Sequence, residues 1–398
     1  MTSSLVNYCN FSTGGNLDSS IITGNTFRTH TNFQDNREYP VWSNASTASD
    51  KARVKKRMLD IDVRRLLACI EANSGILNGL SDTSDGGLVV YLTVDDKNYS
   101  NIARSGSTVK LNNYGFRLIN GKDLSSALTN IRPKGLTFVS DQAVYIQGDF
   151  NSPGVTSASV SPPTFATLSS GWIPSSIVAD SVNVLSSAWN TPSLCRDDTG
   201  YYRSRALNTR AERNWRGNLI GSYSMGAAWY SYASDSDAET ATGDEKSTKP
   251  LFCRTPGVTT IQTAILAGTA TTGNQEGAVW PIPGGTTSTS ITSGGVHNMM
   301  RFHEDWQGAE RYGSSVYYNY SGSLVSLSTP LHVNGAFKLG SQDTPSVTPA
   351  QDLSPVYRPP TRQWQYDQQF NQAANLPPLT PRFVYIKQEN FTRRFTQE

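Results

Sequence analysis

The residues able to do chemistry in this chain are few, and their spacing is unhelpful to most reactions. Four histidines are present, and His297 and His303 fall together in HNMMRFHEDW. A zinc-protease helix sets two His four residues apart around a Glu, so that both imidazoles meet one ion and the carboxylate meets its water. This stretch does neither and reads as a polar loop beside a structural Trp306. Adjacent acids at Asp95–Asp96 and Asp197–Asp198 are the residue type of a glycosidase, but that reaction needs two carboxylates facing across a cleft. The run DSDAE at 235 to 239 resembles half a calcium loop and then places Thr240 where the loop requires Gly. No nucleophile elbow, phosphate loop or dinucleotide fingerprint stands where a strand would pass into a helix. The expectation is therefore a non-enzyme without catalytic residues, cofactor or metal.

Aromatic residues are the better supplied group, with 18 Tyr, 8 Trp and 14 Phe. Several lie beside amides and small polar residues, in AAWYSY, YYNY and WQYDQQF. Flat rings flanked by Asn, Asp and Gln are what sugar rings stack on and what protein interfaces use. Trp229, Tyr230, Tyr317, Tyr318, Tyr320, Trp364 and Tyr366 are accordingly the candidate contacts for a glycan or partner subunit, against the alternative that they are ordinary β-core aromatics.

Elements must position these residues, and composition bounds which. The chain has 398 residues, of which 17% are charged, and is rich in Gly, Ser, Thr and Asn, a profile of extracellular β proteins. Its formal charge of +2 gives no field to gather nucleic acid or an anionic membrane. No apolar run approaches the length of a membrane span, and the N-terminus lacks a signal-peptide pattern. An export signal is therefore expected upstream of Met1. Cys9, Cys69, Cys195 and Cys253 match no zinc spacing, and three full disulfide pairings remain open beside four free thiols. Five Asn-x-Ser/Thr sequons occur, at Asn10, Asn44, Asn98, Asn319 and Asn390.

Along the chain, residues 1–48 read as an irregular lead-in. Residues 49–75 read as one amphipathic helix, capped by Ser49 or Asp50 and ended by Gly75, with Val54, Met58, Ile61, Leu66 and Ile70 on its apolar face. Its Lys51, Arg53, Lys55, Lys56, Arg57, Arg64 and Arg65 read as the solvated face. The main β-rich domain spans 76–356, with half-buried strands at 88–94, 136–139, 144–150, 177–186, 258–268 and 318–327. In GLTFVSDQAVYIQGDFN, Leu136, Phe138, Val144 and Ile146 should point inward, leaving Asp149 as the one group there able to do chemistry. Long loops at 152–163, 231–249 and 281–295 suit a solenoid, whose rungs pack only on neighbours, better than a sandwich or compact barrel. The fold expected is mainly β, a right-handed parallel β-helix-like solenoid with long loop insertions. A β-sandwich or jelly roll is the alternative. Residues 357–398 read as a Pro-rich extended arm ending in a strand at RFVYIKQENF.

The blocks ARVKKRMLDIDVRRLLACIEAN, NNYGFRLINGKDL, KGLTFVSDQAVYIQGDFN, IVADSVNVLSSAWN, TTIQTAILAG, MMRFHEDWQG, YSGSLVSL and RPPTRQWQYDQQFNQAANLPPLTPRFVYIKQENFTRRF resemble the C-terminal part of the cyanobacterial hormogonium polysaccharide biosynthesis protein HpsA family. They run in the family's order from about residue 38 onward. The resemblance implies a cell-surface protein tied to a type IV pilus- or pseudopilin-like export system, needed to secrete the polysaccharide on which filaments glide. It implies that Met1 follows a missing pilin-like helix, and it carries no catalytic residues. The function expected is an extracellular scaffold in polysaccharide secretion, pilus-associated adhesion or gliding motility. Its partners would be polysaccharide, pilus-like subunits, or copies of itself in an oligomer or filament, with no nucleic acid and no membrane span. A carbohydrate-active β-helix enzyme and a phage tail-type structural protein are the alternatives.

Overall fold

The computed structural model describes residues 26–34, 55–73, 79–94, 113–155, 163–189, 256–269, 299–304, 316–327 and 360–380, with Cys9, Trp306 and a few short strands elsewhere. It is mainly β with largely parallel sheets and one α-helix. The principal strands are β1 (Phe27–Gln34), β2 (Lys55–Asp62), β3 (Leu88–Leu92), β4 (Asn113–Ile119), β5 (Leu136–Ser140), β6 (Ala143–Gln147) and β7 (Ser175–Ala179). They continue as β8 (Ser181–Leu185), β9 (Thr259–Gln262), β10 (Ala264–Ala267), β11 (Met300–Phe302), β12 (Tyr317–Gly322), β13 (Leu324–Ser326) and β14 (Thr361–Tyr366). The helix, α1, is Val63–Ala72.

Three of the runs expected as single strands are each two. IVADSVNVLS breaks at Asp180, VTTIQTAILAG at Thr263 and YNYSGSLVSL at Ser323, and the halves join different sheets. One polar residue suffices because it only has to turn the backbone, while the apolar residues on either side enter separate ladders. Sheet I orders its labelled strands β1-β2-β4-β6-β8-β11, sheet II β13-β10-β7-β5-β3 and sheet III β9-β12-β14. Every pair among these is parallel except β1 with β2. That is not the antiparallel pairing on which a sandwich or jelly roll is built. A parallel bridge from Phe150 to Ile261 carries sheet III one strand further.

Parallel register stacks like on like. Leu59, Phe116, Val144, Val182 and Met300 align across sheet I, as do Ile61, Leu118, Ile146, Val184 and Phe302. Val90, Phe138, Ile177, Ile265 and Leu324 align across sheet II, and Ile261, Tyr320 and Trp364 across sheet III. All of these belong to or pack against one core cluster. Leu136, Phe138, Val144 and Ile146 are in it, as the sequence predicts.

The long helix of residues 49–75 is corrected. Residues 55–62 are a strand, and among the described residues of this span only Val63–Ala72 are helical. Helix propensity distinguishes these residues by well under ~1 kcal/mol each. Burying one Met or Ile side chain contributes ~1.5–3 kcal/mol, and as a strand the segment buries Met58 and Ile61 and pairs with β4. The tertiary term wins. Asp62 rather than Ser49 or Asp50 caps α1, accepting from the Arg65 amide at 3.0 Å. The helix buries Val63, Leu66, Leu67, Ala68, Cys69 and Ile70. The lead-in is likewise not wholly irregular, since β1 lies within it and pairs with β2.

The C-terminal arm contributes β14 to sheet III and then turns back. Asp367 caps a short 3-10 turn, Gln368–Asn371, and Phe370 packs with Trp172 and Ala264. Further on, the Thr137 hydroxyl of sheet II donates to the Pro378 carbonyl at 2.7 Å. A Cβ on Gly135 would lie 2.8 Å from the Pro378 ring, so the close crossing of the arm over β5 requires glycine there. The expected strand RFVYIKQENF lies outside the described residues.

Candidate functional site

Sheet III gathers five of the aromatic candidates on one strand pair. Residues alternate across a strand, so Tyr318 and Tyr320 of β12 face the same way as Arg362 and Trp364 of β14, with which they are in register. That direction is inward. Tyr318 is 0% and Tyr320 2% exposed, which removes both from the surface contacts. Tyr318 sits edge-on to Phe302, Trp306 and Trp364 at 5.0, 6.1 and 6.4 Å between centroids. Its hydroxyl donates to the Met300 sulfur at 2.9 Å. The Tyr320 hydroxyl lies 2.8 Å from the Thr263 carbonyl and 2.9 Å from that of Ser323, tying two successive strand corners together. Burial pushes both phenols well above their ordinary range, so both stay protonated and act as donors.

Toward the free edge the aromatics open to solvent. Tyr317 and Trp364 are half-buried, and the Arg362 guanidinium stands 5.2 Å over the Trp364 ring. Tyr366 is exposed, its ring edge-on to Phe370 at 6.4 Å. Trp229 and Tyr230 lie outside the described residues. Of the seven candidates the structure thus brings five onto β12 and β14 and presents Tyr366 most fully.

A second polar constellation, which the sequence reading did not single out, runs along the opposite face of sheet I. Arg28, Asp60, Arg117, Tyr145, Asn183 and Arg301 stand in one register row across β1, β2, β4, β6, β8 and β11. Each is at least nine-tenths buried. Arg117 grips Asp60 through two parallel bonds, Nε to Oδ1 at 2.8 Å and Nη2 to Oδ2 at 2.6 Å. Burial lowers the Arg28 pKa; the Asp60 charge opposes that shift and the Arg117 charge adds to it. His303 follows, its Nε2 2.9 Å from the Asn183 side-chain oxygen. Glu304 accepts from the Ser186 hydroxyl at 2.8 Å and from the Ser186 amide. Phe33 and Trp189 pack in one cluster with Tyr145 of this row, Phe33 lying 4.9 Å from Tyr145 and 6.1 Å from Trp189. A signal for it exists in the sequence. Each of the five members from Asp60 to Arg301 is the polar centre of an apolar triplet: Leu59-Asp60-Ile61, Phe116-Arg117-Leu118, Val144-Tyr145-Ile146, Val182-Asn183-Val184 and Met300-Arg301-Phe302.

The remaining candidates for chemistry take structural places or fall outside the described residues. Asp149 accepts from the Thr260 amide at 2.9 Å and pairs with Lys122 at 3.2 Å, pinning the chain after β6 to β9. Gly148 beside it has φ +78°, the left-handed region that glycine occupies without strain. His303 and Glu304 are buried just past β11, against Asn183 and Ser186. Asp95–Asp96, Asp197–Asp198, residues 235–239 and His297 lie outside. Cys9 is bonded to Cys69, joining the N-terminal region to α1, while Cys195 and Cys253 lie outside. Asn319 is 1% exposed and donates to the Thr260 hydroxyl at 3.2 Å, so its sequon is closed to glycosylation in the folded chain.

The described residues define a mainly β protein of largely parallel strands, with the buried Asp60–Arg117 pair bridging two strands. Among them no helix is long and apolar enough to cross a membrane. Compared with protein-family models, with curated proteins and with solved structures, the chain matches none.

Proposed function

We propose that this chain is a non-enzymatic β-solenoid scaffold that works by surface contact in polysaccharide secretion, pilus-associated adhesion or gliding at a bacterial cell surface. The observation that carries the architecture is the order in which the chain visits its sheets. It passes from sheet II to I to III and back to II, through β7, β8, β9 and β10, and each return lands one strand further along. A coil of that kind offers long faces of regularly spaced side chains and tolerates insertions between rungs. We take its hand to be that of the right-handed parallel β-helix.

Two observations favour contact over catalysis and export over retention. Asp60 and Arg117 of sheet I engage each other and Glu304 engages the Ser186 amide, while the exposed ring of Tyr366 stands on the outer strand of sheet III. The Cys9–Cys69 disulfide suits an oxidising compartment. The resemblance of the sequence blocks to the HpsA family supplies the biology, with polysaccharide and pilus-like subunits as partners. The test is retention of the purified chain on the producing cell's own polysaccharide and on its pilus-like subunits. Retention on either is expected, and passage through both unretarded would overturn the proposal.

A further inference from the structure

We infer that the end of β14 and the turn that follows form a subsite for a neutral hexose polymer, an inference that rests on the glycan-contact reading above. The Tyr366 ring is 46% exposed yet held by packing, edge-on to Phe370, which is itself buried 5.7 Å from Trp172. An aromatic face fixed in advance stacks on a pyranose ring without losing much rotamer entropy. The next turn is capped by Asp367, whose Oδ1 accepts from the Gln369 amide at 3.0 Å. It displays Gln368, Asn371 and Gln372 to solvent. The Asn371 amide donates to the Gln368 side-chain oxygen at 2.8 Å, which orients the pair and leaves the Gln368 NH2 as donor and the Asn371 oxygen as acceptor. Sugar hydroxyls are both donors and acceptors, so such a pair matches them.

Charge selects the class of polymer. Between Thr361 and Asn375 the only charged residue types are Arg362 and Asp367. Arg362 is half-buried over Trp364, and Asp367 is 4% exposed with its Oδ2 lacking any hydrogen-bond partner. A water or hydroxyl reaching that oxygen would complete it. The adjoining loop, tied to the turn by the Leu168 amide donating to the Gln369 side-chain oxygen at 3.2 Å, exposes Thr164, Thr167, Ser169 and Ser170 and carries no charge. Arg132, which packs on Gly171 where that loop ends, is paired with Asp123 at 2.9 Å. The described residues of this surface therefore have hydroxyls, amides and a ring to give, and no exposed ion with which to hold a polyuronate.

The experiment is calorimetric titration of the full chain with a soluble neutral glucan, a neutral mannan and polygalacturonate, in low and high salt. We expect binding to a neutral polymer that salt leaves unchanged. Tyr366→Ala should weaken it by about tenfold and Gln368→Ala by about threefold, whereas Tyr366→Phe keeps it. Tyr91→Ala, removing a 62% exposed ring on sheet II, should bind as the parent does. Matched thermal melts separate lost binding from lost folding. Undiminished neutral-glycan binding by Tyr366→Ala overturns the subsite alone. So does a preference for polygalacturonate that salt abolishes, which leaves the scaffold reading standing. If Tyr366→Ala loses capture of pilus-like subunits while no glycan binds, the surface takes protein and the inference fails. Absence of all glycan and subunit binding by the parent overturns both.

Discussion

At the residue scale the informative groups are buried ones whose ionisation the fold opposes. Burial raises Asp62 above the ordinary carboxyl value of 3.8, with the Arg65 amide and the Asn120 side chain opposing the shift. Burial likewise raises Asp367. A carboxyl that binds its proton more tightly when folded adds stability that is complete below the unfolded-state value and is lost as pH rises through the raised folded value. Asp62→Asn keeps a capping oxygen and removes that titration. Urea midpoints of parent and variant should therefore diverge as pH rises above about 4, the parent losing ground to the variant. Asp62→Ala removes the cap and should cost about 1 kcal/mol at low pH, a deficit that narrows as the parent loses stability at higher pH. The two phenols supply a second contrast. Tyr320→Phe strands the corner carbonyls of Thr263 and Ser323 and should cost about 1–3 kcal/mol, while Tyr318→Phe, losing only a weak bond to sulfur, should cost less. Because both phenols are raised, their contribution holds below the ordinary value of 10.0. It is lost as pH climbs beyond that point, a trend readable by near-UV circular dichroism.

At the element scale, β2 shows why helical spacing misled. Val54, Met58, Ile61, Leu66 and Ile70 satisfy a period of 3.6, but the alternation of Met58, Asp60 and Asp62 with Leu59 and Ile61 satisfies a period of 2 equally well. A partner strand decided between them. That partner also carries Arg117, and the buried pair it forms with Asp60 is asymmetric in its consequences. Asp60→Ala leaves Arg117 and Arg28 charged and buried, and should cost about 3–5 kcal/mol in chemical denaturation. Replacing Asp60 and Arg117 together with Leu should recover most of that loss. The Cys9–Cys69 bond spans a sequence separation of 60 residues. Reducing it should lower the stability of the element it anchors by about 2–4 kcal/mol, seen as an earlier urea transition of the helical signal.

For the whole molecule, stability should follow position in the strand stack. Among the described residues, β5, β6, β7 and β8 each have a paired neighbour on both sides, whereas β13 and β14 are paired on one side only. Hydrogen exchange should accordingly be slowest at amides such as those of Phe138, Val144, Ile177 and Val182, and fastest in β13 and β14. Equal protection throughout would contradict a stack whose edges open first. The same edge carries Tyr366, so ligand binding there should slow exchange in β14 before it affects the centre.

The runs that carry β3, β5 to β10, β12 and β13 were legible in the sequence, because β-branched and aromatic runs bounded by turn residues depend on neighbours in the chain, whereas β1, β2, β4 and β11 were not. The inward-facing residues of β5 and β6 were legible for the same reason. What linear order concealed was the repeat. The apolar-polar-apolar triplets at 59–61, 116–118, 144–146, 182–184 and 300–302 are one structural position visited five times, and insertions of unequal length hide their period. Only the tertiary structure decided that Asp60 meets Arg117, that Tyr318 and Tyr320 are core while Tyr366 is surface, and that residues 55–62 are strand. In each case the deciding energy is a contact between residues tens of positions apart. Such a contact exists only once the strands are laid side by side, and no local pattern of residues encodes it.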